Sequence, residues 1–196
     1  DQRRISGIDF FAKSLTSFSK DHLDYHKNLS GYRKVKKSFF LKSDENNIVS
    51  IDNDLGREIY SENKSTVTVS VNNKTANLYL ENNLIKTPWG DLKNYLPFKS
   101  KFMISNFLCA LGLYGKISNE IDFDPEMLKN MKNLPGRLQK TPLFENKICY
   151  VDYAHTPDAL ESVLDYLRSN YKGKIVTIFG CGGERDSSKR GDMGKI

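Results

Sequence analysis

The sequence predicts an α/β fold, and three observations carry that expectation. From residue 148 onward an apolar run, a helical stripe, a second apolar run and a glycine-rich loop follow in strand–helix–strand–loop order. The second run, residues 174–179 (KIVTIF), is apolar without alternation, as a parallel strand buried on both faces should be. Upstream, stripes at helical spacing alternate with short β-branched runs.

Taken in order, residues 14–18 read as a short strand, followed by a polar turn that holds Asp21, His22, Asp24 and His26. Residues 30–42 read as a helix, with Ser30 as N-cap and Tyr32, Val35, Phe39 and Phe40 as its stripe. Residues 47–51 are a strand, and Asp54 caps the next short helix. Residues 65–87 are expected to form an antiparallel meander, because Thr66 to Val71 alternates and Asn72-Asn73 and Asn82-Asn83 supply turns. Ser100 caps an apolar helix to Tyr114, closed by Gly115. Asp124-Pro125, an N-cap followed by Pro, opens another short helix. Pro135-Gly136 marks a break, and residues 1–136 and 137–196 are read as two domains. Beyond it, residues 148–151 are a strand, Thr156-Pro157 opens a helix to Asn170 with Leu160, Val163, Leu164 and Leu167 on one face, and Gly180-Cys181-Gly182-Gly183 follows the last strand.

Composition removes whole classes. With 196 residues, 38% hydrophobic and 28% charged, the chain can bury one good core or two small ones and is neither disordered nor membranous. Its longest apolar stretch, residues 107–114, is far short of the roughly 20 residues a spanning helix needs. No basic-then-apolar run opens these residues, so no signal peptide is expected here. Cys109, Cys149 and Cys181 are odd in number and form no CxxC pair, so a reducing, cytoplasmic setting is expected. The 30 Lys+Arg against 24 Asp+Glu give +6, yet the acids are interspersed and no nucleic-acid motif accompanies the charge, so neither nucleic acid nor membrane is an expected partner. Asp1 without Met, and an end at Ile196 just after a helix start, suggest that either terminus continues a domain.

Four clusters hold chemistry-bearing residues. Asp21-His22-Leu23-Asp24-Tyr25-His26 offers carboxylates and imidazoles at metal-ligand spacing, or a plain polar turn. Arg33-Lys34-Val35-Lys36-Lys37 is a solvated helix face or a place where crowding by cations disfavours the ammonium form of Lys36. Such an amine can take up carbon dioxide and become an anionic oxygen ligand. Asp152 and His155 leave the C-terminal end of a strand, where open α/β sheets bind ligands, and the helix start at Pro157 adds partial positive charge; the alternative is a capped loop. Gly180 to Gly183 lets backbone approach a ligand, and Arg185 beyond it is a fork for a carboxylate; the alternative is a tight turn with a surface arginine.

In combination, DHLDYH, the Tyr32-x-x-x-Lys36 pair, PGRL, VDYAHTPDALESVL and FGCGGERDxxKR resemble the Mur ligases. Within that family they are most similar to the group that adds the third amino acid to UDP-N-acetylmuramoyl-L-alanyl-D-glutamate. The resemblance implies the later part of a P-loop-like central ATPase domain followed by the start of a Rossmann-like C-terminal domain, as an internal fragment. The family's GTNGKT phosphate loop and UDP-binding domain have no counterpart in residues 1–196, so this stretch alone is expected to be inactive. The implied activity is ATP-dependent amide ligation in peptidoglycan precursor synthesis, with Mg²⁺, through an acyl phosphate, by a monomeric parent enzyme. The implied residues are His22 and a carbamylated Lys36 for Mg²⁺ and catalysis. Arg137, Asp152, His155 and the Asn53-Asp54 pair fall to the nucleotide, Gln2 and Arg4 to the UDP-muramoyl-dipeptide, and Arg185 to the carboxylate of the incoming diamino acid. Asn53 stands where the family has an acid. The selecting loop falls outside these residues, so diaminopimelate, lysine and ornithine stay open. Alternatives are another Mur ligase, a folylpolyglutamate synthetase-like ligase or a noncatalytic nucleotide-binding fragment.

Overall fold

The computed structural model describes residues 5–19, 26, 28–41, 46–142, 147–182 and 189–196. The chain divides into two compact units, Asp1–Phe18 with Ser30–Met131, and Ser19–Leu29 with Lys132–Ile196.

In the first unit, β1 (Lys13–Leu15), β2 (Asn47–Ser50) and β3 (Val67–Val69) form a parallel sheet in the order β1-β2-β3. Ser14 stands opposite Ile48, and Ile48 opposite Val67. Helix α1 (Leu29–Leu41) lies between β1 and β2 in sequence, and α2 (Asp54–Glu62) between β2 and β3. Every residue of β2 and of β3 is buried. Successive side chains of a strand point to opposite faces, so Ile48 and Val49 serve two cores. Val49 packs with Leu15, Phe40, Leu55 and Ile59, the residues of β1, α1 and α2. Ile48 packs with Leu108, Cys109 and Leu111 of the long helix α3 (Lys101–Ser118) and with Leu78, Ile85 and Leu92. Burial pushes the Cys109 thiol up to about 11, so it stays protonated at neutral pH.

The expected meander over residues 65–87 is corrected. Val67–Val69 belongs to the parallel sheet, and only Tyr79 onward is antiparallel, as β4 (Tyr79–Glu81), β5 (Leu84–Lys86) and β6 (Leu92–Lys93). The alternation misleads because the polar face is buried too, with Thr68 and Ser70 hydrogen-bonded inside the fold. Thr68 donates its hydroxyl to Asn77 Oδ1 at 2.9 Å, and Ser70 donates to Asp52 at 2.5 Å. Asn82 and Asn83 turn with φ of 49° and 70°, the positive-φ pair a tight hairpin needs.

Two helix ends also differ from expectation. Asn53, with extended backbone, caps α2 by accepting from the Gly56 N–H at 3.0 Å; Asp54 is already helical and pairs with Arg57. Helix α3 runs through Gly115 to Ser118, and left-handed Asn119 (φ 59°) closes it. Gly115 is there for packing: a Cβ would stand 2.3 Å from the Trp89 ring. Asp124-Pro125 does start a helix, of 3₁₀ type over Pro125–Asn130.

In the second unit, β7 (Gln139–Pro142) and β8 (Ile148–Val151) form an antiparallel ladder, and α4 (Pro157–Asn170) follows with Thr156 as its cap. Leu160, Val163, Leu164 and Leu167 are its buried stripe, as expected. A short α5 (Lys189–Lys195) sets Met193 against Leu160 and Leu164. The expected parallel strand at 174–179 is not formed. Ile175 packs against that cluster, but Val176 and Ile178 are 75% and 95% exposed. A parallel strand is stable when neighbours and both faces are covered, and β8 pairs here with β7 instead. The strand–helix–strand opening expected over residues 148–179 is therefore not formed among the described residues. None of their helices is long and apolar enough to cross a membrane.

Candidate functional site

Strand β8 ends at Val151 and delivers Asp152 to His155 to the rim of a cavity of about 360 Å³, whose other side is Gly180, Cys181, Gly182 and Lys189. Asp152 is held from two directions. Its Oδ2 accepts the Leu138 N–H at 2.8 Å and its Oδ1 the Ala154 N–H at 2.8 Å. A carboxylate has about four acceptor positions, so lone pairs are left for a ligand hydroxyl. The Leu138 bond draws in the preceding residue. The Arg137 guanidinium lies 5.0 Å from the centre of the Tyr153 ring. On the same ring, His155 makes an edge contact at 5.1 Å between centroids, and its Nδ1 is 2.9 Å from the Tyr153 carbonyl.

Helix α4 begins beside these residues. Thr156 Oγ1 accepts from Ala159 N–H at 3.4 Å, and Pro157 at the first position has no N–H to satisfy. The site thus joins a cation–aromatic–imidazole row, a carboxylate, the positive end of a helix dipole and the Lys189 ammonium around a glycine-lined opening. That donor set fits a planar ring attached to hydroxyls and a polyanion. Arg137, Asp152 and His155, three of the residues singled out from sequence, are brought together. Tyr153 was missed, although an aromatic residue between an Asp and a His at a strand end was a readable signal.

The remaining candidates fall elsewhere or outside the description. Asn53 and Asp54 sit on α2, where Asn53 is a cap whose Nδ2 also donates to the Ser50 carbonyl at 2.9 Å and Asp54 is tied to Arg57. The acid that the parallel sheet presents at its C-terminal edge is their neighbour Asp52. It accepts from Ser70 Oγ at 2.5 Å, Val71 N–H at 2.9 Å and Asn72 Nδ2 at 3.2 Å. Gln2, Arg4, His22 and Arg185 lie outside the described residues, as do Asp21 and Asp24. Among the described residues no three His, Cys, Asp or Glu side chains gather as a metal site.

Lys36 is on α1, exposed, with its Nζ 5.6 Å from the centre of the Tyr32 ring. Tyr32 in turn stacks on Phe18 at 5.2 Å. The idea that cations crowd Lys36 needs correction. Arg33 Nη2 and Lys37 Nζ meet Glu58 of α2 at 2.6 and 2.5 Å, and Lys37 also reaches Glu62. Arg33 and Lys37 are neutralised across the helix pair, and Lys36 has no carboxylate partner among the described residues.

That network sets a pH dependence. Lys37, then Arg33, hold the Glu58 carboxyl below its usual value, while Glu58 and Glu62 hold the Lys37 ammonium above its own. A lowered acid contributes stability above its unfolded pKa and loses it as pH falls through the folded one. A raised lysine contributes below its unfolded pKa and loses it as pH rises. For such half-exposed pairs the contribution is about 0.5–1 kcal/mol. Glu58→Gln is expected to lower the urea midpoint at neutral pH, and the gap to the parent should close below about pH 4. A gap unchanged at pH 3 would show that the carboxylate charge is not its source.

Comparisons with known proteins show the family. The family models for the Mur ligase middle domain and for the Mur ligase glutamate ligase domain match residues 1–114 and 136–196. Proteins named UDP-N-acetylmuramoyl-L-alanyl-D-glutamate--2,6-diaminopimelate ligase are similar over all of this chain, at 33% identity in Coxiella burnetii and 34% in Lawsonia intracellularis. The chain spans 43% and 44% of the length of those relatives. Among solved structures, MurF from Acinetobacter baumannii aligns with a TM-score of 0.62 at 17% identity, covering 79% of this chain and 36% of that one. A bifunctional folylpolyglutamate synthase/dihydrofolate synthase aligns with 0.60 at 18% identity, covering 85% and 40%. At such identities these two speak to the α/β fold alone. The middle-domain match by itself exceeds half of the sequence, so this chain belongs to the Mur ligase family.

Proposed function

We propose that the protein carrying this sequence is an ATP-dependent ligase of peptidoglycan precursor synthesis. It would join the amine of a diamino acid to the D-glutamyl carboxylate of UDP-N-acetylmuramoyl-L-alanyl-D-glutamate. The observation that carries the reading is a cavity beside the start of α4 that Asp152, Tyr153 and His155 line, with Arg137 against the Tyr153 ring. The full-length similarity of this chain to part of ligases named for that nucleotide and 2,6-diaminopimelate supports it.

In this reading residues 1–136 are the later part of a P-loop-like ATP-binding domain, and residues 137–196 begin a Rossmann-like C-terminal domain. Arg137 and His155 flank the nucleotide with Tyr153, and Asp152 accepts from a ribose hydroxyl. Gln2 and Arg4 hold the UDP-muramoyl-dipeptide, and Arg185 takes the carboxylate of the incoming amino acid as a planar fork. Asn53 and Asp54 support the nucleotide side through the cap of α2. Lys36 fits a cation site only as a carbamate, since an ammonium repels Mg²⁺; its exposure and lack of a carboxylate partner leave room for that change. With His22 it would then hold Mg²⁺, whose charge, with that of the basic groups, neutralises the phosphoryl group in transfer. ATP supplies the phosphoryl group that turns the carboxylate into an acyl phosphate. The amine attacks the acyl carbon, and phosphate leaves with one carboxylate oxygen. The work is placed in the cytoplasm, by a monomer.

The test is turnover by the full-length protein with ATP, the UDP-muramoyl-dipeptide and a panel of diaminopimelate, lysine, ornithine and glutamate. Product with one diamino acid is expected. No product with any of these, together with turnover of glutamate onto a folate acceptor in a parallel assay, would favour the folylpolyglutamate synthetase-like alternative.

A further inference from the structure

The turn that carries Arg137 is built at a conformational cost. Gly136 and Leu138 flank it with φ of 70° and 43°. Glycine takes that backbone freely, but a leucine there is strained by about 1–3 kcal/mol. Leu138 is also buried, at 3% exposure, so the turn cannot relax outward without exposing it. Both of its peptide groups are clamped by side chains. Its N–H donates to Asp152 Oδ2 at 2.8 Å, and its carbonyl accepts from Asn133 Nδ2 at 3.0 Å. A third bond, from the Gly136 N–H to Gln139 Oε1 at 2.9 Å, closes the other side. The residue between these fixed points is exposed Arg137, held over the Tyr153 ring.

We propose that Asn133 is a positioning residue which, opposite Asp152, locks Leu138 in its left-handed conformation and so aims Arg137 at the nucleotide. Asp152 then has two tasks, one on the ligand and one on this turn. The inference rests on the proposed ATP site and names a residue outside the family motifs that identified it.

The variant is Asn133→Asp in the full-length enzyme, which keeps shape and removes the donor. The expected result is a KM for ATP raised about tenfold, an unchanged KM for the diamino acid, and a dissociation constant for a non-hydrolysable ATP analogue raised in parallel by calorimetry. A merely structural role would move both KM values together. Should that variant fold poorly, Asn133→Ser is read the same way. An unchanged KM for ATP in a folded variant, or an equal rise for both substrates, overturns the proposal. Arg137→Ala separates the two levels. If it raises the KM for ATP and Asn133→Asp does not, the positioning role fails alone; if Arg137→Ala leaves ATP binding intact, the nucleotide reading of the cavity fails.

Discussion

Lys36→Ala in the full-length enzyme is expected to cut turnover on the order of 10²–10³-fold, the size of effect seen when one preorganised electrostatic contact to a transferring group is lost. Helix α1 turns Arg33 and Lys37 toward Glu58 and Glu62 of α2 and leaves Lys36 on a different side, above Tyr32. Helical spacing makes this unavoidable, because residues four apart share a face and adjacent residues do not. A lysine so placed adds little to stability, so the variant should unfold at the same denaturant concentration as the parent. If the carbamate is the active form, a short-chain carboxylic acid should restore part of the rate, because it returns an anionic oxygen to the space left by the side chain. Full activity in the variant would remove Lys36 from the site. Loss of activity without any rescue would keep the residue and remove the carbamate.

The largest stability effect is expected at Gly56. A Cβ built there stands 1.9 Å from the Ser50 carbonyl oxygen and 2.8 Å from its carbon, against backbone rather than a flexible side-chain end. Ser50 cannot yield, since it ends β2, the strand paired on both sides. Helix α2 would have to lift, taking Leu55 and Ile59, both fully buried, away from Val49 and Phe40. Gly56→Ala should therefore cost on the order of 3–5 kcal/mol, read as a fall in the denaturant midpoint. Gly173→Ala, where nothing lies within 4 Å and φ is ordinary, is the control, with less than about 0.5 kcal/mol expected. A Gly56→Ala protein as stable as that control would show that α2 is not seated on β2 as described.

Sequence exposes the features of this fold unequally. Helices were legible where a local stripe met a local cap, as at Thr156-Pro157 with Leu160, Val163, Leu164 and Leu167. Cap identity slipped by one residue at Asn53, because an Asn and an Asp in succession both suit the position and only backbone geometry chooses. Val67–Val69 was misread because alternation signals one wet face, whereas here Asn77 and Asp52 satisfy the hydroxyls of Thr68 and Ser70 inside the fold. Asp52 itself went unseen for a related reason: its partners are 18 to 20 residues away and meet it only once β2 and β3 lie side by side. At the cavity, Asp152 and His155 were readable from their types and their place at a strand end, whereas Arg137 was singled out only through the family resemblance. The bond from Leu138 to Asp152, and the clamp by Asn133, follow from the β7–β8 ladder, which no motif announces.

The central claim is that this sequence belongs to an enzyme that activates a carboxylate with ATP before an amine attacks it. It is tested most directly by oxygen tracing. The full-length protein is given UDP-muramoyl-dipeptide labelled with ¹⁸O in the D-glutamyl carboxylate that reacts, together with ATP and the diamino acid, and the released phosphate is examined by mass spectrometry. One labelled oxygen in each phosphate is the predicted result, because the acyl phosphate breaks on the carbon side. Amide product formed with unlabelled phosphate would contradict the account.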